Sequence, residues 1–158
     1  MADVQKPLVA VRSATPADAE TIAGFQERMA WETEGLRLDP ETVRRGVDGV
    51  FAVAGRGTYL VAESGGLVAG CTLLTTEWSD WRSRTVLWIQ SVYVVPEFRR
   101  RGVFRAIYAH VRQMVLDDPS LAGVRLYVEK GNVGAQRTYA ALGMDGGHYQ
   151  MFEWMKPA

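Results

Sequence analysis

The chain has 158 residues, of which 47% are hydrophobic and 23% charged, the make-up of one ordinary globular domain with room for a sizeable core. Eighteen basic and eighteen acidic residues cancel, which argues against the broad basic surface that nucleic-acid binding needs. Cys71 has no disulfide partner, His110 and His148 offer no metal spacing, no apolar run is long enough to span a bilayer, and residues 1–11 lack a signal-peptide layout, so a cytoplasmic protein without metal is expected.

Residues 7–13 alternate Leu8, Val9 and Val11 with smaller or polar residues, which predicts a first strand. Thr15-Pro16-Ala17-Asp18 is a helix start: a capping threonine, proline at the first helical position and an acid in the first turn. Ile22, Phe25 and Met29 continue it at helical spacing towards Trp31. Asp39-Pro40-Glu41 is a second start, opening a helix through Val43, Val47 and Val50. Residues 59–63 and 67–75 are β-rich and joined by Ser64-Gly65-Gly66, a hairpin signal. A polar and aromatic loop is expected over 78–84, then a long strand over 85–95 that ends at Pro96.

After Gly102, the apolar stripe Phe104, Ile107, Tyr108, Val111, Met114 and Val115 predicts an amphipathic helix closed by Asp117-Asp118-Pro119. Residues 124–128 read as a strand, Asn132 caps a helix to Leu142, and Gly143 ends it. Residues 149–155 read as a final strand. The order β-α-α-β-β-β-α-β-α-β mixes hairpins with crossovers, which predicts an α+β architecture with a mixed sheet in a single domain over 1–158.

The most specific stretch is Val92-Tyr93-Val94-Val95-Pro96-Glu97-Phe98-Arg99-Arg100-Arg101-Gly102-Val103-Phe104-Arg105. A strand passes through an arginine-rich turn into a helix, and a helix N-terminus gathers free N–H groups and the positive end of the peptide dipole. Arg100 and Arg101 add planar cationic forks suited to phosphate, and Gly102 removes a side chain where backbone would approach a ligand. Taken alone, these residues also read as a solvated basic turn. Arg99-x-x-Gly102 after this strand resembles the acyl-coenzyme A-binding motif of the GNAT superfamily of N-acetyltransferases, Arg/Gln-x-x-Gly-x-Gly/Ala. The chain departs from that motif at its last position, Phe104.

A second stretch, Leu126-Tyr127-Val128-Glu129-Lys130-Gly131-Asn132-Val133-Gly134-Ala135-Gln136-Arg137-Thr138-Tyr139-Ala140-Ala141-Leu142-Gly143-Met144, is similar to the family's strand–helix unit, in which Asn-x-x-Ala-x-x-x-Tyr precedes Leu-Gly-Met or Leu-Gly-Phe. Asn132, Ala135 and Tyr139 fall three and four residues apart, on adjoining parts of one helix face. The resemblance covers nearly the whole chain. It implies a central mixed, mostly antiparallel sheet of six to seven strands flanked by about four helices, with acetyl-CoA as co-substrate. It also implies that Val92, Tyr93 and Val94 of the fourth strand pair with the pantetheine arm through their backbone, and that this strand, as is common in the family, bulges and splays from the fifth to open a cleft for the arm. By the same resemblance, Arg99, Arg100, Arg101, Gly102, Val103, Phe104 and Arg105 hold the pyrophosphate, and Asn132 and Ala135 face the cofactor.

The implied reaction is direct attack of a primary amine on the acetyl thioester in a ternary complex. It needs an unprotonated amine, a donor to the developing oxyanion and an acid for the leaving thiolate. Tyr139, protonated at neutral pH, fits the acid, and a backbone N–H near Val94 fits the donor. Gln90 and Ser91 stand where many family members carry a glutamate, so the candidate bases are Glu32, Glu34 and Glu77, directly or through water. Trp31, Trp78, Trp81 and Trp88 fall in the segments used for the acceptor, where they line a small-amine pocket, an interface or the core. The expectation is therefore an N-acetyltransferase acting on a small amine, the alternatives being a protein or peptide N-acetyltransferase and a non-catalytic acyl-CoA-binding regulatory domain. A homodimer through the later strands is also expected.

Overall fold

Alternating buried side chains build a sheet in this chain, and its first hairpin follows from the Gly65-Gly66 turn. The computed structural model describes residues 8–157, which divide between Arg125 and Leu126 into two compact units. The first unit opens with β1 (Val9–Ser13), a 3-10 turn at Pro16–Asp18, α1 (Ala19–Glu34) and α2 (Pro40–Ala52). It continues with β2 (Thr58–Ser64), β3 (Leu67–Ser79), β4 (Arg84–Val94), a 3-10 turn at Pro96–Phe98 and α3 (Val103–Asp117), and then β5 (Leu121–Leu126). The second unit carries α4 (Val133–Ala141).

The strands lie in sequence order, β1-β2-β3-β4-β5, and β1 through β4 are antiparallel neighbours. The Thr85 N–H donates to Ser120 O at 2.9 Å, so β4 and β5 start side by side. Side chains alternate across the sheet. On one face Tyr59, Val61, Cys71 and Tyr93 pack against Ile22, Ala23 and Phe25 of α1 and Val47 of α2. On the other, Val103, Ile107 and Val111 of α3 are buried. Gly70 faces α3, and a Cβ there would come 2.6 Å from Tyr93 O and 3.4 Å from Val103 Cγ1. Only glycine lets β3 lie so close to β4 at that point.

Local signals placed the helices well. Asp39 Oδ2 accepts from the Thr42 N–H at 2.8 Å, the N-cap its sequence demands. At the first helix start, the Thr15 N–H donates to Asp18 Oδ2 at 2.7 Å, and Arg12 reaches the same carboxylate at 2.9 and 3.0 Å. Asp18 therefore ties β1 to the entry of α1, and its first turn is 3-10 before α1 begins at Ala19.

Three expectations change. The sheet has five strands among the described residues, fewer than the six to seven implied. Residues 149–155 form no strand, and Tyr149, Phe152 and Trp154 are exposed. A β-prone pattern becomes a strand only where a neighbouring backbone completes its ladder. Finally, β3 continues to Ser79, so the expected loop shrinks to a turn at 80–83 with Ser83 at φ 48°. Pro7, the expected start of the first strand, lies outside the described residues.

Candidate active site

The basic turn after β4 is shaped by two left-handed residues. The Val95 N–H donates to Ala69 O at 2.9 Å, keeping the strand end on β3, and Pro96 then opens a 3-10 turn closed by Phe98 N–H to Val95 O at 2.9 Å. Arg100 has φ 60° and Gly102 φ 89°. No atom lies within 4 Å of a Cβ built on Gly102, so conformation rather than crowding calls for glycine here. The first α3 bond runs from Ala106 N–H to Gly102 O at 2.9 Å. The N–H groups of Val103 and Arg105 precede it and point out of the helix start. Val103 is buried and anchors this end, while Arg100, Arg101 and Arg105 are exposed. Phe104 stacks on Tyr108, with centroids 6.2 Å apart and planes at 24°. Its ring, at the position where the chain departs from the motif, thus packs against the next turn of the helix. First-turn amides, a glycine in the left-handed region and three exposed guanidinium groups fit a diphosphate.

Arg99, by contrast, is exposed but uses its guanidinium within the protein. Its Nε donates to Val94 O at 2.9 Å, its Nη2 bonds Glu32 in the last turn of α1, and its guanidinium lies 5.7 Å from the Tyr93 ring centre. The Tyr93 hydroxyl donates to the other Glu32 oxygen at 2.9 Å, and its ring packs on Phe25 at 5.1 Å. Arg99, foremost, and Tyr93 hold the Glu32 carboxyl below the usual carboxylate range, against an opposing effect of partial burial. Burial, and then Glu32, push the Tyr93 hydroxyl up.

The β4 strand carries a bulge at Gln90. Leu73 lies opposite Ser91 and Leu74 opposite Ile89, leaving Gln90 without a counterpart on β3. Such an extra residue kinks the strand and re-aims its side chains. Gln90 Nε2 donates to Thr75 Oγ1 at 2.8 Å. Nearby, Glu77 on β3 accepts from the Trp88 indole N–H and from Arg125 of β5 at 2.7 Å. Glu77, Trp88 and Arg125 thus join three strands. The resemblance implied a bulged strand and placed Trp88 with the acceptor-side tryptophans, whereas Arg125 was not foreseen; strand alternation places Glu77 on the face of Thr75, but no local signal selects Arg125 as the partner of Glu77. Trp31, Trp78 and Trp81 are exposed, and Arg37 lies 4.9 Å from the Trp31 ring centre. A separate recess of about 130 Å³, lined by Gly57, Leu74, Leu87 and Met114 among others, takes in none of these carboxylates or arginines.

Within the second unit, Asn132 Oδ1 accepts from the Ala135 N–H at 3.1 Å, so the cap uses its oxygen and leaves its amide nitrogen for another partner. Gln136 Nε2 donates to Lys130 O at 2.9 Å, tying the approach to α4. Gly143, at φ 87°, closes the helix with Gly143 N–H to Ala140 O at 3.0 Å and Met144 N–H to Tyr139 O at 3.1 Å. Tyr139 is partly buried, and burial raises its hydroxyl above the ordinary tyrosine value. It keeps its proton at neutral pH.

Residues 18–144 match the model of a family described as the acetyltransferase (GNAT) family. Phosphinothricin N-acetyltransferase of Streptomyces viridochromogenes is 25% identical, with 94% of this chain and 87% of that protein covered. A solved structure described as a possible acetyltransferase from Clostridium difficile 630 shares 38% identity at a TM-score of 0.87, covering 96% of this chain and 99% of its own. The aminoglycoside N-acetyltransferase AAC(6')-Iy, solved in complex with CoA, has the same fold at a TM-score of 0.75 and 16% identity, covering 96% of this chain and 97% of its own.

Proposed function

Because the chain belongs to the GNAT acetyltransferase family, and is therefore an acetyl-CoA-dependent acetyltransferase, we propose that it acetylates the primary amine of a small molecule by direct attack in a ternary complex. The observation that carries this reading is the turn at 99–105, whose first-turn amides and exposed arginines suit the diphosphate of acetyl-CoA. The family match spans residues of both units, which supports treating the chain as one functional domain.

Acetyl-CoA, when bound, supplies an acetyl group activated as a thioester. Val103 and Arg105 offer backbone N–H groups to its phosphates, Arg100 and Arg101 offer side chains, and the Val92–Val94 backbone is the docking edge for the pantetheine arm. Tyr139 is assigned as the proton donor to the leaving sulfur, since its hydroxyl stays protonated. The family resemblance assigns Asn132 and Ala135 to the cofactor as well. Gln90 and Ser91 cannot act as bases, so Glu34 and Glu77 are the candidates for the proton of the attacking amine; Glu77 already accepts from Trp88 and Arg125, which suits a relay through water better than direct contact. The Glu32 carboxylate is less basic than usual and already engaged by Arg99 and Tyr93, which suits a positioning part better than proton removal.

Support for a small acceptor comes from the named activities of the phosphinothricin and aminoglycoside enzymes. The Glu77–Arg125 pair presents a carboxylate and a guanidinium together, so amines that also carry an acid group belong in any screen. The test is thiol release from acetyl-CoA across a panel of amino acids, aminoglycosides, polyamines and peptides. Release with a small amine is expected; release with peptides alone would overturn the small-molecule assignment, and none with any acceptor would overturn catalysis. We further propose a cytoplasmic homodimer, and a monomer mass by light scattering would refute the dimer.

A further inference from the structure

Glu32, Tyr93 and Arg99 join the end of α1 to the end of β4 and the basic turn after it. Glu32 and Arg99 lie 67 residues apart, one in the last turn of α1 and the other inside the basic turn. Arg99 makes contacts in three directions: the Glu32 carboxylate, the Val94 carbonyl at the base of the turn, and the Tyr93 ring. Tyr93 is itself buried against Phe25, and its hydroxyl reaches the free side of the same carboxylate. An ion pair this exposed adds little by itself. Here one partner is also braced by a core tyrosine and the other by backbone, so the set has a defined geometry rather than two mobile ends.

Building on the acetyl-CoA reading, we propose that Glu32, Tyr93 and Arg99 form a latch that holds the turn 95–102 to the end of α1. The latch keeps the anion site at the start of α3 formed before the ligand arrives. Arg99 is then a positioning residue whose fork is occupied within the protein, and the phosphate cations are its neighbours Arg100, Arg101 and Arg105. Glu32 acts through Arg99, not on the amine. Arg100 sits in the left-handed region, a conformation that a residue other than glycine keeps only while its surroundings hold it.

The experiment compares Glu32→Gln, Tyr93→Phe, Arg99→Lys and the double variant Glu32→Gln/Arg99→Lys with the parent. Free CoA is titrated by calorimetry, KM and kcat are measured with acetyl-CoA, and amide exchange over 95–105 is followed without ligand. The Kd for CoA and the KM should each rise about tenfold in Glu32→Gln and Arg99→Lys, with kcat at saturation changing less than about threefold. Because the two residues act through one contact, the double variant should be about as weak as either single one rather than about a hundredfold weaker. Turn amides should exchange faster in all variants.

An unchanged Kd with only a lower melting temperature would reduce the cluster to a structural tie and overturn the latch. A fall in kcat with a shifted pH profile at constant Kd would make Glu32 the base. Multiplying losses in the double variant would mean that Arg99 meets phosphate independently, which also refutes the latch. A parent that binds no CoA would remove the acetyl-CoA reading beneath it, an outcome distinct from all three.

Discussion

Gly102→Val is the sharpest perturbation of the proposed diphosphate site. With φ at 89°, any L side chain pays a conformational penalty of about 1–2 kcal/mol, and a β-branched one stands at the upper end. Beyond the chain neighbours, no atom lies within 4 Å of the new Cβ, so the Cβ itself adds no clash to this. Set against a domain stability of about 5–15 kcal/mol, the variant stays folded, with a melting point lower by roughly 2–8 °C for a chain of this size. The backbone escapes the penalty by rotating Gly102 out of the left-handed region. That movement shifts Gly102 O, which accepts the first α3 bond, and re-aims the N–H groups of Val103 and Arg105. A hydrogen bond to a charged oxygen contributes about 1.5–3 kcal/mol, so losing one weakens binding by about ten- to a hundredfold. Calorimetry with acetyl-CoA should report that loss, with Gly102→Ala in between. A Gly102→Val protein that binds within threefold of the parent would refute the assignment of this turn to phosphate. A collapse of its melting curve would refute the argument that the cost is conformational.

Tyr139→Phe removes a hydroxyl and keeps the ring, so the affinity for acetyl-CoA should stay within a few-fold while kcat falls about a hundredfold or more, the scale of a lost general acid. Turnover within threefold of the parent would end that role. The bonds from Arg12, foremost, lower the Asp18 carboxyl to about 2 from an ordinary 3.8, while burial opposes them. Its folded value lies below its unfolded one, so the stabilisation is present above pH 3.8 and disappears as pH falls through 2. Asp18→Asn should therefore cost about 2 kcal/mol at neutral pH, and the gap from the parent should close in urea titrations approaching pH 2. A gap that does not narrow with acid would show that the charge of Asp18 contributes nothing.

Features fixed within one turn of chain were legible in the sequence. Asp39 and Asn132 cap α2 and α4 through side-chain oxygens, and Gly143 closes α4 in the left-handed region; each needs only its own neighbours. The apolar stripe of α3 and the Gly65-Gly66 hairpin read just as directly. The 149–155 segment shows the limit, because alternation states a preference for strand but supplies no partner. The site shows the same limit in its charges. Arg99 reads as a cation at the right place, yet its position beside Glu32 depends on how α1 crosses the sheet. Likewise the meeting of Glu77 and Arg125 depends on the strand register, which a slip of one residue would invert.

The bulge at Gln90 is such a slip, introduced at one point in β4. It separates the register of the strand's beginning, where Trp88 meets Glu77, from that of its end, where Tyr93 meets Glu32. Beyond it, Gly102 announces a left-handed position but Arg100 does not, although its φ of 60° is the less comfortable of the two. An arginine held there costs stability that a glycine would not. Its side chain, exposed beside two other guanidinium groups, is what a glycine could not supply. Under the proposed reading, the turn accepts strain at Arg100 in return for a cation at the start of α3, and the ties of Arg99 to Glu32 and Tyr93 hold the turn in place.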